Sequence, residues 1–325
     1  MVPHVTVIVC TRDRPAPLAA CLDAVAQQGY PHFDILVVDN GSAAPVNDIC
    51  RSRGAACISE PTVGLTRARN LGARAARGEI VAYIDDDAVA EPGWLAALVR
   101  EFDDPEVAAV AGRTRYMNAQ GDSLSMTAED AAGEIGRRPH QRFDRGTPDW
   151  FTLACFGRIG DGNTMAFCRS VVTSSVRFDE RLGRGRLLDS GDEHVAFTSL
   201  ISDGHRVTHA PDAVVRHPMP AEPRLRRAKR LRDLRSSVAY IMFLWLQFPG
   251  HRAELARFLR RALLKRLPGS GTAAPAAAGL SRLQIVSAVF GGVRIYWKAQ
   301  QEWRSHKQVA GGAVDTATPR VVTLR

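Results

Sequence analysis

The first 110 residues predict an α/β fold, a mostly parallel sheet flanked by helices, from two observations. Apolar, β-branched runs at 5–10, 33–38, 56–58 and 80–84 alternate with segments whose apolar residues recur at helical spacing. The resulting β-α-β-α-β order is the one that places helices on both faces of a parallel sheet.

Each element has its own signal. The strand at 5–10 ends in the turn Thr11-Arg12-Asp13-Arg14-Pro15, after which Leu18, Cys21, Leu22 and Val25 mark a helix. The strand at 33–38 closes on Asp39-Asn40-Gly41-Ser42, a strong turn sequence. A short helix at 46–53 leads to the strand at 56–58. An alanine- and arginine-rich helix is expected over 65–77, ended by Gly78. The strand at 80–84 runs into three aspartates, and Pro92 opens a helix at 94–101. Further strands are expected at 107–116, 163–168, 206–209 and 213–217, with helices near 127–135 and at 191–203. Beyond Pro223 come a dense basic run (Arg224, Arg226, Arg227, Lys229, Arg230, Arg232, Arg235), an apolar aromatic helix at 238–248, helices at 251–267 and 282–304, and a Gly/Ala/Pro linker at 269–279. The expected organisation is a catalytic-type domain over 1–220, split near 115, a helical extension over 221–308, and a disordered tail over 309–325.

The chain has 325 residues and a formal net charge of +9, which favours anionic partners. No nucleic-acid motif accompanies the basic run, so nucleic acid is not expected. The six cysteines form no Cys-x-x-Cys pair and no zinc spacing. A signal peptide is not expected, and the apolar stretch at 238–248 is too short to span a bilayer. Cytoplasmic location is the default, with contact on the inner face of a membrane as an extension of it. Two readings of the extension stay open: a helical core, or a basic and aromatic surface lying on anionic lipid or joining two copies of the chain.

Asp85, Asp86 and Asp87 begin where the strand at 80–84 ends. Ligands of open α/β sheets bind at the carboxyl ends of strands. Clustered carboxylates repel unless a cation sits among them, and a hard divalent ion shared with substrate phosphates is the usual answer.

Four segments then occur in order: 7–14, Val37-Val38-Asp39-Asn40-Gly41-Ser42, Gly64-Leu65-Thr66-Arg67-Ala68-Arg69-Asn70-Leu71-Gly72, and Ile84-Asp85-Asp86-Asp87. Together they resemble the family 2 glycosyltransferases. The likeness continues through Gly162-Asn163, 178–183, Gly191-Asp192-Glu193 and His217, covering roughly residues 4–217. It implies the GT-A fold (Rossmann-like), a nucleotide-sugar donor with UDP- or dTDP-sugars favoured, a divalent cofactor (Mn2+ or Mg2+) and a hydroxyl acceptor on a glycan, lipid-linked glycan or small natural product.

Carried over position by position, the resemblance makes Asp87 the best metal ligand, with Asp85 on metal or ribose and Asp86 on either. His217 would complete the metal shell, since imidazole joins oxygen ligands well around Mn2+. Asp39 would read the base, with Thr11 and Asp13 behind the nucleoside. Arg67 or Arg69 would meet the diphosphate or a uracil-like ring, the alternative being a solvated helix face. Residues two apart on a helix diverge, so one faces the donor, and Arg69 is preferred. Gly162 and Asn163 would line the donor and acceptor pocket; Trp94 either offers a stacking face to sugar there or is a packed helix residue.

An inverting transfer needs a carboxylate to take the acceptor proton. Asp192-Glu193 reverses the more common Glu-Asp order, so either is the base. Asp192 is preferred for its shorter side chain. The rival readings are a nucleotidyltransferase, which would want a glycine-rich first loop that Thr11-Arg12-Asp13-Arg14-Pro15 lacks, and a non-catalytic nucleotide- or membrane-binding protein.

Overall fold

The computed structural model describes residues 2–117, 139–174, 178–218, 223–264 and 281–310. Among these residues, nine strands form one sheet of order β3-β2-β1-β4-β8-β6-β9-β5, with β7 pairing β9. In chain order they are β1 Val5–Thr11, β2 Phe33–Asp39, β3 Ala56–Ser59, β4 Ile80–Asp85, β5 Val89–Ala90, β6 Val107–Met117, β7 Gln141–Phe143, β8 Thr164–Cys168 and β9 Arg206–Pro218. The helices are α1 Pro15–Ala26, α2 Asn47–Arg51, α3 Leu65–Ala75, α4 Trp94–Arg100, α5 Trp150–Cys155, α6 Arg169–Ser174, α7 Asp192–Ser202, α8 Pro223–Gln247, α9 Arg252–Leu264 and α10 Arg282–Ala310.

The pairings β3-β2-β1-β4 are all parallel, while β8 runs antiparallel to both β4 and β6. Both faces of the parallel part are covered. Val5, Val7 and Val9 of β1 and Ile80, Ala82 and Ile84 of β4 enter one core with α1 and α4. Ile8, Val81 and Tyr83 enter the opposite core with α3 and α7. Burial on both sides explains why these strands read as unbroken apolar runs. Each fully buried Val or Ile contributes about 1.5–3 kcal/mol.

Some elements differ from the sequence reading. Helix α3 stops at Ala75, and Gly78 is a point of close approach, not a cap. A Cβ there would lie 2.5 Å from the Thr6 amide nitrogen, and the Thr6 hydroxyl accepts from the Arg77 and Gly78 amides. The two strands expected near 206–217 are the single strand β9. Its break at Pro211-Asp212 is absorbed by a register shift opposite Gly112, where a Cβ would sit 2.5 Å from the Ala213 carbonyl. The helix expected at 127–135, the linker and the residues from 311 onward lie outside the described residues.

The basic run and the apolar stretch belong to one helix, α8. Ala239, Tyr240, Phe243 and Leu244 are buried in a third core with Phe151, Leu182, Val195 and Tyr296. One face of that stretch is thus part of a helical core, while Trp245 and Leu246 on it are exposed. Helix α10 approaches α8 closely at Gly292, where a Cβ would meet Val238 at 2.6 Å. Among the described residues no helix is long and apolar enough to cross a membrane.

Candidate active site

Parallel pairing of β1 with β4 sets Cys10 opposite Asp85, so the loops after both strands meet at one edge. The Thr11 hydroxyl donates to Asp86 Oδ2 at 2.7 Å, and Arg14 Nη1 donates to Asp86 Oδ1 at 3.2 Å and Asp87 Oδ2 at 2.6 Å. Thr11 is buried, and its hydroxyl is spent on Asp86. Sequence reasoning passed over Arg14, whose place one residue before a helix-opening proline carries no chemical signal.

Strand β9 delivers His217 to the same edge, its Nε2 3.1 Å from Asp87 Oδ1. Ligand atoms of Asp85, Asp87 and His217 all lie within 4.8 Å of one another. Burial pushes the Asp85 carboxyl up to about 6 despite Arg69 beside it. Burial also opposes ionisation of Asp87, but the His217 contact and Arg14 outweigh it and its carboxyl is held low. His217 is raised: burial lowers it, and the Asp87 hydrogen bond more than compensates. Its Nδ1 lies 2.9 Å from the Pro218 carbonyl, which fixes the ring and directs Nε2 at the carboxylates. Two carboxylates and an oriented imidazole are a donor set that fits Mn2+. Tyr116 packs edge-on against the same ring, 5.8 Å between centroids.

Beside this cluster lies Asp161, another residue that sequence reasoning missed. It accepts from Thr114 Oγ1 at 2.8 Å, Tyr116 Oη at 3.2 Å and the Asn163 amide at 3.2 Å. Asn163 in turn accepts through its carbonyl from the Asp85 amide at 3.2 Å. Gly162 and Asn163 therefore do border the aspartates. Trp94 does not. It is fully buried, and its indole N–H donates to Thr164 Oγ1 at 2.7 Å, so it offers no face to a sugar.

The residues expected at the nucleoside, Asp39 and Asp13, form a separate corner. Asp39 Oδ1 accepts from the Ser42 amide at 3.0 Å. Asp13, in the left-handed region at φ 56°, accepts from the Ala43 amide at 2.7 Å. Asn40 ties the corner to the next loop by donating to the Glu60 and Thr62 carbonyls and accepting from the Gly64 amide.

Arg69 corrects the largest sequence assignment. Its side chain is 3% exposed and is not an arm reaching out to phosphate. Nη1 donates to Asp192 Oδ2 at 2.6 Å, and Nη2 donates to the Gly162 carbonyl at 2.9 Å and Asp85 Oδ1 at 3.3 Å. Arg67 diverges from it and pairs with Glu180 at 2.8 Å. One guanidinium thus joins the aspartate cluster to the start of α7.

There Gly191, at φ 89°, lies under the Tyr240 ring, which a Cβ would meet at 2.4 Å. Asp192 is buried and committed to Arg69. Glu193 has no arginine of its own. Burial first, and then the charge of Asp192, push its carboxyl up to about 8 against the pull of Arg69. His194 Nε2 is 3.5 Å from its Oε1. The site therefore combines an ion-holding cluster, a buried cationic link, and a carboxylate whose proton affinity is raised.

Residues 6–161 match the family described as Glycosyl transferase family 2. Over that segment, just under half of the chain, the sequence is similar to this family. The match ends before Asp192, Glu193 and His217, which enter the site through the fold alone. The chain is 26% identical over 262 residues to an N-acetylglucosaminyltransferase of Bradyrhizobium diazoefficiens, covering 77% of this chain and 52% of that one. It is 26% identical over 225 residues to the glycosyltransferase AglE of Haloferax volcanii, covering 66% and 67%. The chain thus spans about half the length of the first of these relatives. The solved mannosyltransferase of Pyrobaculum calidifontis in complex with GDP-Man and Mn2+ superposes with a TM-score of 0.61 at 21% identity, covering 91% of this chain and 88% of that one. Residues 1–349 of S. aureus TarS in complex with UDP-GlcNAc superpose at 0.56 and 16%, covering 90% and 81%. The fold shared with these solved structures is GT-A: a largely parallel mixed sheet between helices.

Proposed function

We propose that the chain is an inverting, metal-dependent glycosyltransferase that moves a sugar from a nucleoside diphosphate sugar to an acceptor hydroxyl. The observation that carries this is the convergence of Asp85, Asp87 and His217 at one strand edge, joined through Arg69 to Asp192-Glu193. A divalent ion at those three residues would stabilise the charge that builds on a departing diphosphate. Arg14 and Thr11 hold Asp86 and Asp87 in place.

Glu193, and not Asp192, is the base in this reading. Asp192 is neutralised by Arg69 in a buried pair, and a pKa near the working pH suits proton abstraction. Glu193 takes the acceptor O–H proton as that oxygen bonds to the anomeric carbon. The bond from that carbon to the diphosphate oxygen breaks, and the nucleoside diphosphate leaves. UDP- and dTDP-sugars come first as donors, with Asp39 as base reader; GDP-sugars belong in the same panel because one solved neighbour carries GDP-Man.

Work at the cytoplasmic face of an anionic membrane is also part of the proposal. Leu283, Val286, Phe290 and Trp297 line up at helical spacing along α10 and are all exposed, with Arg294 and Lys298 beside them. Flotation with anionic vesicles, reduced by Phe290→Asp, supports this. Dimerisation lost in the same variant would assign the ridge to self-association instead.

The catalytic test is Asp87→Ala. It should abolish donor hydrolysis and transfer while the melting temperature without metal stays near wild type. Full activity in that variant, or activity unaffected by EDTA, refutes the metal reading. Pyrophosphate release from a nucleoside triphosphate would point to a nucleotidyltransferase. Nucleotide binding with no turnover of any donor would point to a binding protein.

A further inference from the structure

A second cleft, of about 300 Å3, opens between α5, the turn that follows it and α9. Part of its lining is aromatic: Phe156 and Phe258 stack with centroids 4.2 Å apart. Part is cationic: Arg158, Arg257 and Arg261. Two carboxylates share the cleft and both are partnered, Asp149 with Arg261 at 3.9 Å and Glu254 with His251 at 3.4 Å. Arg158 and Arg257 have no ion-pair partner among the described residues. Two uncompensated guanidinium groups next to an apolar wall, in a concavity, are suited to a molecule with an anionic head and an apolar body. Arginine's planar fork matches phosphate oxygens two at a time.

The cleft also adjoins the acidic pair. Gly157, between Phe156 and Arg158, lies against His194, and a Cβ on it would be 3.2 Å from His194 Nε2. That nitrogen is 3.5 Å from Glu193 Oε1. Phe156 meets Tyr240, the ring over Gly191, at 6.5 Å. Gly157 and His194 therefore link the backbone beside Arg158 to the carboxylate proposed as the base.

We propose that this cleft binds a phosphate or diphosphate group carried by the acceptor. Arg158 and Arg257 would hold the anion and the Phe156–Phe258 wall the neighbouring apolar part, so that the acceptor hydroxyl is presented to Glu193. The acceptor role rests on the glycosyltransferase reading above; the anion site does not. The source of the phosphate is either a lipid diphosphate or a soluble sugar phosphate.

The test is calorimetric titration of the full chain with decyl diphosphate and, separately, with glucose 1-phosphate. Saturating UDP, GDP and Mn2+ are present, so that the aspartate site is filled. Binding of either probe is expected, weakened about ten-fold or more by Arg158→Ser with Arg257→Ser and largely restored by the paired lysine variants. Preference for decyl diphosphate assigns a lipid acceptor, and preference for glucose 1-phosphate a soluble one. Both arginines are exposed, so an unchanged melting temperature verifies the fold. No binding of either probe, or equal affinity in the serine variant, overturns the proposal. Binding through these arginines in a protein that hydrolyses no donor leaves the anion site standing and removes the catalytic reading instead.

Discussion

The two halves of the site are built differently. Around the aspartates, adjacent parallel strands end together, so Thr11, Arg14 and Asp85 to Asp87 meet because β1 and β4 are neighbours in register. His217 joins that cluster from the far end of β9, whereas on the other side Asp161 comes from a loop and Asp192 and Glu193 from a helix start. No shared register aligns those three. Arg69 is the part that ties the second group to the first, through Asp192, Gly162 and Asp85. A sheet edge can assemble one half of an active site by geometry alone, whereas the other half depends on a particular buried charge.

That contrast can be broken experimentally. The largest effect is expected on turnover. Glu193→Gln should lower kcat by about 10²–10⁴-fold with little change in donor affinity. Asp192→Asn should act chiefly on stability, because it leaves Arg69 without its buried partner. If the kinetic losses are reversed and Asp192→Asn folds as well as wild type, Asp192 is the base after all.

Next in size is the pair of arginines on α3. Arg69→Ala should destabilise by about 3–5 kcal/mol, the cost of leaving a buried carboxylate unpaired. Arg67→Ala, which removes a partly exposed pair, should cost only about 0–1 kcal/mol. Urea denaturation of both variants measures the difference. Equal losses would mean that Arg69 is not the link between the halves.

The pH dependence sharpens the contrast further. The Glu193 carboxyl sits above its unfolded value of 4.5, at about 8. Its contribution to stability is therefore present below about pH 4.5 and is lost as pH rises through about 8. Melting temperature should decline over that window, and Glu193→Gln should flatten the decline. Activity should run the other way, with kcat/KM rising toward pH 8 as the base ionises. A profile already flat at pH 6 would contradict both. The smallest expected effect is at glycines of similar positive φ. Gly191→Ala drives a methyl into Tyr240 and should lower stability more than Gly93→Ala, which meets nothing within 4 Å.

Local pattern carried the alternation of strands and helices up to Glu101, the turn after β2 and the placement of three aspartates at a strand end. Each depends on residues a few positions apart: apolar periodicity, turn chemistry and the order of short motifs. The fates of Arg69, Trp94, Arg14 and Asp161 were not legible in this way. An arginine on an amphipathic helix reads the same whether it meets phosphate or a carboxylate 123 residues later. A tryptophan near a strand end reads the same whether it stacks on sugar or is sealed in the core. Those outcomes follow from burial, which sums contacts from elements distant in sequence. The same buried setting treats two adjacent carboxylates differently, pairing Asp192 with Arg69 while raising the proton affinity of Glu193.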